Sequence, residues 1–175
     1  MTPGDTPPEA HRPAAILATL KRLGFGMTVS VPDSWLGEIL VRIEAEPGMS
    51  LIRATHEEEA LAIGCGARLG GVRTALMIQN AGLLSMGAGL VSLAQRYQFP
   101  LLILAPYRGT MEDPVFYHIP KARVTEPVLD GFNLPYRRAD PDRAAEGLCS
   151  FLIVPKRQQY TAVLIGCEPQ ANKMI

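Results

Sequence analysis

Three consecutive glutamates at the start of a helix are the strongest candidates in this chain for a chemical role. They stand in the segment THEEEALAIGCGARLGG, which runs from Thr55 to Gly71. One interpretation is that acidic side chains in a first helical turn complement the positive end of the helix dipole and face water. The other interpretation rests on the small and apolar residues that follow Glu57 in the helix. They predict a carboxylate at the edge of a tightly packed apolar contact.

The small residues of this helix would let another backbone approach closely, and a second helix, Ser85 to Gln95, carries a similar surface. We expect both to be buried between chains in a two-fold or pseudo-two-fold contact, because such apolar patches are uncommon on monomers. The small residues are Ala60, Ala62, Gly64, Gly66, Ala67 and Gly70 in the first helix, and Gly87, Ala88, Gly89 and Ala94 in the second.

Length and composition indicate one compact domain. The chain has 175 residues, of which 47% are apolar and 19% are charged, which fits an ordinary core over residues 14–175. Residues 1–13 are polar and proline-rich, and we predict a disordered tail there. The 17 basic and 17 acidic residues balance, so no net charge favours binding to nucleic acid or to an anionic membrane.

Cysteine usage and the N-terminal sequence predict a cytoplasmic protein. Cys65, Cys149 and Cys167 form neither a CxxC pair nor a metal-binding spacing, which is typical of core thiols in a reducing compartment. The N-terminus lacks the basic start and apolar stretch of a signal peptide. No apolar run approaches the roughly 18 residues that span a bilayer.

Helical and strand patterns alternate along the chain, which predicts an α/β fold of three layers, α/β/α, with a mostly parallel sheet of about five or six strands. We expect loops over Gln79–Leu84 and Tyr107–Val124. The predicted strands are Met27–Val31, Ser50–Ala54, Thr74–Ile78, Pro100–Ala105 and Tyr160–Ile165. The predicted helices are Ala14–Leu23, one capped by Asp33 or Ser34, Glu57–Gly71, Ser85–Gln95, and one from Asp140-Pro141 to Ile153.

Four loops should meet at one rim, because the carboxyl ends of parallel strands lie along one edge of a sheet. They are Pro32–Ser34, Thr55–Glu57, Gln79–Gly82 and Pro106–Gly109.

A pair of glycines, Gly64 and Gly66, resembles part of a dinucleotide fingerprint but lies inside the helix, where no phosphate loop is expected. A nucleotide-binding domain would need such a loop.

Four motifs, in this order, resemble the pyrimidine-binding domain of thiamine diphosphate-dependent decarboxylases. They are VPDSWL, HEEEALAIGCGARLGG, MIQNAGLLSMGAGLVSLA and PLLILAPYRG, and the resemblance covers about residues 27–135. It is closest to the alpha subunit of sulfopyruvate decarboxylase and the matching half of phosphonopyruvate decarboxylase. The resemblance implies a decarboxylase of a 2-oxo acid.

The resemblance implies that Glu57 is the glutamate that hydrogen-bonds the pyrimidine ring of thiamine diphosphate and activates it. That chemistry needs a carboxyl group in dry surroundings. Glu58 and Glu59 receive no such role and are interpreted as dipole, surface or interface charges. The other residues that the resemblance places at the cofactor are Pro32, Thr55, Gln79, Asn80, Gly82 and Leu83.

Four residues are candidates for contacting the substrate. By the same resemblance Ser34 supplies a hydroxyl beside the substrate carboxylate, although a serine there could equally be a helix cap. Asn80 belongs to the loop that lines the substrate, although amides that end a strand are also ordinary turn formers. Arg108 could hold the distal anion of a sulfonate or phosphonate, or be a solvated loop cation. His118 could exchange a proton with the substrate, or be a surface histidine.

The sequence departs from the family where the cofactor's diphosphate and Mg²⁺ are held. The family carries a GDG followed further along by an asparagine, and Asp130-Gly131 does not fit that pattern. The loop YHIPKARVTEP also differs, which leaves the 2-oxo acid open. The resemblance therefore implies a separate beta-type chain that holds Mg²⁺ and the diphosphate, in a heterotetramer or a larger assembly. The alternative is a non-catalytic module of the same fold, kept for assembly or regulation.

Overall fold

The structure, a computed structural model, describes residues 8–110, 113–138 and 162–165. Six strands lie in this part of the chain, and all of them pair in parallel in one sheet of order β2-β1-β3-β4-β6-β5. The predicted fold class is confirmed. The strands are β1 (Met27–Ser30), β2 (Ser50–Arg53), β3 (Thr74–Met77), β4 (Leu102–Ala105), β5 (Tyr136–Arg138) and β6 (Ala162–Ile165).

Helices cover both faces of this sheet. Two of them are preceded by single 3₁₀ turns, at Ser34–Leu36 and Phe116–His118, and one short helix continues as a π-helical segment over Leu90–Gln95. The helices are α1 (Pro8–Arg22), α2 (Gly37–Glu44), α3 (Glu57–Leu69), α4 (Asn80–Ser85), α5 (Gly87–Gly89) and α6 (Ile119–Gly131).

Strand β3 shows how the core is divided between two layers. Its four residues are all buried, and successive side chains point to opposite faces of the sheet. Ala75 and Met77 pack with the apolar stripes of α1 and α2, whereas Leu76 packs with α3, α4, α6 and the π-helical segment. A central parallel strand is covered on both faces, and this explains its unbroken apolar sequence.

Two predicted loops contain helices. The segment Gln79–Leu84 is mostly α4, because Leu83 is fully buried in the core and the apolar contact outweighs the turn-forming amides before it. The predicted loop Tyr107–Val124 contains the start of α6. The prolines of this segment explain why the helix was not predicted. Pro120 lies in the first turn, where its missing N–H is not needed, but Pro127 interrupts the helical sequence pattern further on.

Other boundaries differ at the ends of the chain. Helix α1 begins at Pro8, so residues 8–13 of the predicted tail are helical. Strand β5 has only three residues and was not predicted. The helix predicted from Asp140 to Ile153 lies outside the described residues. No helix of the described part is long and apolar enough to cross a membrane.

Candidate active site

The predicted rim exists, and the four loops meet along it. Gln79 Nε2 donates to Asp33 Oδ2 at 3.0 Å, which joins the loop after β3 to the loop after β1. Arg108, after β4, donates to the same carboxylate at 3.1 Å. Glu57, after β2, lies against α4. Parallel register produces this convergence, since Met27 of β1 is level with both Ser50 and Thr74.

Glu57 lies in a corner formed by Gly82 and Ser85 of α4, which we call the glutamate corner. Gly82 is buried, and a β-carbon there would lie 2.4 Å from Glu57 Cγ, so only glycine lets the glutamate occupy this position. Ser85 Oγ lies 3.3 Å from Glu57 Oε2 and 3.0 Å from the carbonyl oxygen of Gly82, and its one hydrogen is shared between these two acceptors. Glu57 Oε1 has no hydrogen-bond partner among the described residues. The carboxylate is therefore held in place and half-buried, and Oε1 can still accept a hydrogen bond.

The neighbouring acids stabilise the start of α3. Glu59 Oε2 accepts from the backbone N–H of Thr55 at 2.8 Å and from its hydroxyl at 2.7 Å. Hydrogen bonds from Thr55 lower the pKa of Glu59. His56 is the N-cap, and its Nδ1 accepts from Glu58 N at 3.3 Å. Glu58 and Glu59 are exposed, in accordance with the structural role predicted for them.

A second group of polar residues surrounds Arg108, and we call it the arginine cluster: Asp33, Ser34, Arg108, Asp113 and His118. Arg108 is only 7% exposed and lies with its guanidinium carbon 4.0 Å from the centre of the Trp35 ring. Its Nη2 donates to both oxygens of Asp33, at 3.2 and 3.1 Å, and to Ser34 Oγ at 2.5 Å. Nη1 lies 3.9 Å from Asp113 Oδ1.

These contacts give Arg108 a role within the chain. Two carboxylates, those of Asp33 and Asp113, already outweigh its single positive charge. Two guanidinium nitrogens make no hydrogen bond in the described part of the chain: Nη1, and Nε, which is buried. A bidentate contact with a substrate anion needs two donor groups that are free to bind it. Arg108 holds the loop after β1 against the loop after β4, and its contact with a substrate anion remains a prediction.

Ser34 keeps the capacity that was predicted for it. The residue that caps the 3₁₀ turn is Asp33, whose Oδ1 accepts from Trp35 N at 2.9 Å, so Ser34 is not the cap. Ser34 is exposed, and its oxygen accepts from Arg108. Because a hydroxyl that accepts one bond still has its own hydrogen to donate, Ser34 can offer that hydrogen to a carboxylate at the rim.

Asp113 anchors the far side of the cluster. Its side chain is fully buried; Oδ2 accepts from Gly109 N at 2.9 Å and Oδ1 from Val115 N at 3.1 Å. His118 Nδ1 lies 2.7 Å from Oδ2. Burial raises the pKa of Asp113, but the hydrogen bonds from His118 and from the two backbone N–H groups outweigh that effect and leave the pKa below its ordinary value.

Two residues predicted to line the cofactor have other positions. Leu83 is fully buried in the core. Asn80 is also fully buried, and its amide links three elements: Nδ2 donates to Arg108 O at 3.2 Å and to Thr125 Oγ1 at 3.0 Å, and Oδ1 accepts from Arg108 N at 3.2 Å. Both side chains face inward because the segment that was predicted as a loop forms helix α4. Pro32 and Thr55 are exposed at the rim, and Gln79 is half-buried there.

Sequence reasoning missed the contacts of Ser85, Trp35, Asp113 and Thr125. Ser85, Trp35 and Thr125 lie outside the loops that carry their partners, and no spacing along the chain indicates such pairings. A signal did exist for Asp113, an acid five residues after Arg108 in a segment without a helical or strand pattern.

The glycines Gly64 and Gly66 lie inside α3, as predicted. No group of three potential metal ligands occurs in the described part of the chain.

The class of protein is defined by the match of residues 13–123 to the family described as thiamine pyrophosphate enzyme, N-terminal TPP binding domain. The chain belongs to this family. Its relatives include the sulfopyruvate decarboxylase subunit alpha of Methanothermobacter thermautotrophicus, which is 31% identical over 77% of this chain and 82% of the relative.

Two other similar proteins are much longer than this chain. The phosphonopyruvate decarboxylase of Streptomyces viridochromogenes is 32% identical over 67% of this chain but only 30% of its own length. Among solved structures, benzoylformate decarboxylase from Polynucleobacter necessarius superposes with a TM-score of 0.67 at 17% identity, over 93% of this chain and 32% of that one. The chain thus spans about a third of those two proteins, and the second likeness concerns the fold.

Proposed function

We propose that this chain is the pyrimidine-side subunit of a thiamine diphosphate-dependent decarboxylase of a 2-oxo acid, and that Glu57 activates the cofactor. The observation that carries the proposal is the glutamate corner: a carboxylate fixed by Gly82 and Ser85, with Oε1 unpartnered among the described residues. A pyrimidine ring nitrogen is a suitable partner for that oxygen. When bound, thiamine diphosphate supplies the carbon nucleophile that attacks the oxo group.

The residues around the corner fit this cofactor. Glu57 would hold the pyrimidine ring, while Gln79 and the exposed edges of Pro32 and Thr55 would border it. Closing a second surface over the rim would exclude water and favour proton sharing between the carboxyl group and the ring. Ser34 would orient the substrate carboxylate through its free hydroxyl hydrogen.

The second surface would come from another chain. Relatives that match this chain over most of their length are named as alpha subunits, whereas the match to the phosphonopyruvate decarboxylase covers only 30% of that protein. We therefore propose a beta-type partner that carries the GDG segment and holds Mg²⁺ and the diphosphate, in a heterotetramer or larger assembly. A sulfonate- or phosphonate-bearing 2-oxo acid is the proposed substrate.

Calorimetric titration with thiamine diphosphate tests the split site. The lone chain should bind it weakly or not at all, because most of the affinity for a diphosphate should come from a metal site on the partner. The mixture of chain, partner and Mg²⁺ should bind it tightly and release carbon dioxide from sulfopyruvate or phosphonopyruvate. Micromolar binding by the lone chain would contradict the split site. Tight binding without decarboxylation of any 2-oxo acid would instead support the non-catalytic alternative.

A further inference from the structure

We infer that Asp113 is a positioning residue that holds His118 in one tautomer, with the proton on Nδ1, so that Nε2 is the atom His118 presents to a substrate. The inference rests on the proposed function only for the identity of that substrate. The tautomer follows from the hydrogen bonds around the Asp113 carboxylate.

Both oxygens of Asp113 are committed as acceptors. Oδ1 receives the backbone N–H of Val115 and Oδ2 receives that of Gly109, and a backbone N–H can only donate. Arg108 Nη1, 3.9 Å from Oδ1, adds a positive charge that favours the ionised carboxylate. A protonated carboxyl would have to point its hydrogen at one of these donors or at the histidine, and the pKa below the ordinary range disfavours that form.

The histidine must therefore be the donor. The separation of 2.7 Å between His118 Nδ1 and Asp113 Oδ2 is that of a strong hydrogen bond, and a carboxylate oxygen cannot supply its hydrogen. With the proton on Nδ1, Nε2 carries the lone pair of the neutral ring. Nε2 has no hydrogen-bond partner within the described residues, and the side chain keeps 9% of its surface exposed.

The position of His118 is also fixed by the backbone. A β-carbon at Gly109 would lie 2.3 Å from the carbonyl oxygen of His118, so the loop after β4 and the start of α6 are in close contact. Gly109 has φ +89°, which favours glycine. The Tyr117 ring meets the imidazole edge to face at 4.6 Å. The ring is thus supported on several sides, and Nε2 is the nitrogen left for a ligand.

Nitrogen NMR of the full chain labelled with ¹⁵N-histidine tests the tautomer directly and does not depend on any enzymatic activity. The chain has three histidines, and the signals that disappear in His118→Gln belong to His118. In alkaline buffer, where an imidazole is neutral, we expect a protonated Nδ1 and an unprotonated Nε2. A protonated Nε2 in the wild-type chain would overturn the inference, whether or not any Asp113 variant folds.

Rates in the assembled complex test the role. Asp113→Asn keeps the size but replaces one acceptor oxygen by a donor, and kcat/KM should fall by roughly tenfold to a hundredfold, within the contribution of a positioned proton-transfer group. In the His118→Gln background the same change should cost little more, because Asp113 acts through His118. Additive losses in the double variant would overturn this role.

A matched control separates positioning from loss of stability. Glu126 lies on α6, pairs with Arg138 of β5 and does not contact His118. Glu126→Gln weakens this pair and should leave kcat/KM unchanged. An equal loss in that variant would show that any weakening of α6 suffices and would overturn the role of Asp113. The proposed function has a separate test: full activity of Glu57→Gln would refute that function and leave the tautomer result standing.

Discussion

The glutamate corner and the arginine cluster lie on the same rim but are held together in opposite ways. Glu57 makes one side-chain hydrogen bond, at 3.3 Å, and keeps Oε1 unpartnered within the described residues. In the arginine cluster, Asp113 alone accepts from Gly109, Val115 and His118. A buried charge with few partners is costly, so the cluster satisfies its charges inside the chain. The corner is half-buried and can remain open to a ligand.

This comparison predicts that changes to Glu57 affect the rate, whereas removing Arg108, the counter-charge of the cluster, affects the stability. In the assembled complex Glu57→Gln should lower turnover by about two to four powers of ten, or roughly 3 to 5 kcal/mol of barrier, because an amide cannot share a proton as a carboxyl group does. The unfolding free energy should change little. Steady-state rates and urea unfolding measure the two effects.

Glu58→Gln and Glu59→Gln serve as internal controls for Glu57, since both residues are exposed in the same turn of α3. Each should retain near wild-type turnover. If Glu57→Gln were fully active and one of its neighbours inactive, the activating residue would have been assigned to the wrong position. If none of the three changes mattered, the chain would not supply the activating acid.

Arg108→Met should have the opposite effect. It keeps an unbranched apolar side chain but removes the guanidinium that lies over Trp35, and it leaves the carboxylates of Asp33 and Asp113 buried without their counter-charge. Removing one member of a buried ion pair costs about 3 to 5 kcal/mol of unfolding free energy. Urea unfolding of the chain measures this. Arg53→Ala, which breaks an exposed pair with Glu44, is the control and should leave the urea midpoint nearly unchanged.

Gly82→Ala tests how closely the corner fits its glutamate. The added methyl would lie 2.4 Å from Glu57 Cγ and 2.8 Å from Oε1, so the side chain must move. A displacement of this size should lower kcat by about tenfold to a hundredfold, because small misplacements of reacting groups are costly. The chain should remain folded by circular dichroism. Unchanged kcat would mean that the position of Glu57 is not critical.

Gly66→Ala is the smallest change and concerns the outer face of α3. A β-carbon there meets nothing within 4 Å, and alanine is the better helix former, so the lone chain should gain about 0.5 to 1 kcal/mol of unfolding free energy. If this face packs closely against another chain, the same methyl should weaken association in sedimentation analysis. Unchanged association would show that the face stays exposed in the complex.

The small residues of the two predicted contact helices illustrate why sequence alone could not assign the interface. Gly64, Gly87 and Gly89 meet Leu76, Phe132 and Leu61 of the same chain. Ala62, Gly66, Gly70 and Ala88 are exposed. Small size permits close approach but does not specify what approaches. Only the folded chain shows which of these residues are already covered by its own side chains, and burial of the others between chains remains a prediction.

The sequence by itself determined the alternation of strands and helices and the rim at the carboxyl ends of the strands, because periodicity and parallel topology are properties of local order. Tertiary structure alone decided that Asn80 and Leu83 face inward and that α6 forms despite Pro127. It also decided that Arg108 is paired with Asp33 and Asp113. Asp33 is 75 residues away from Arg108 in the chain, and no local pattern records contacts across such a separation.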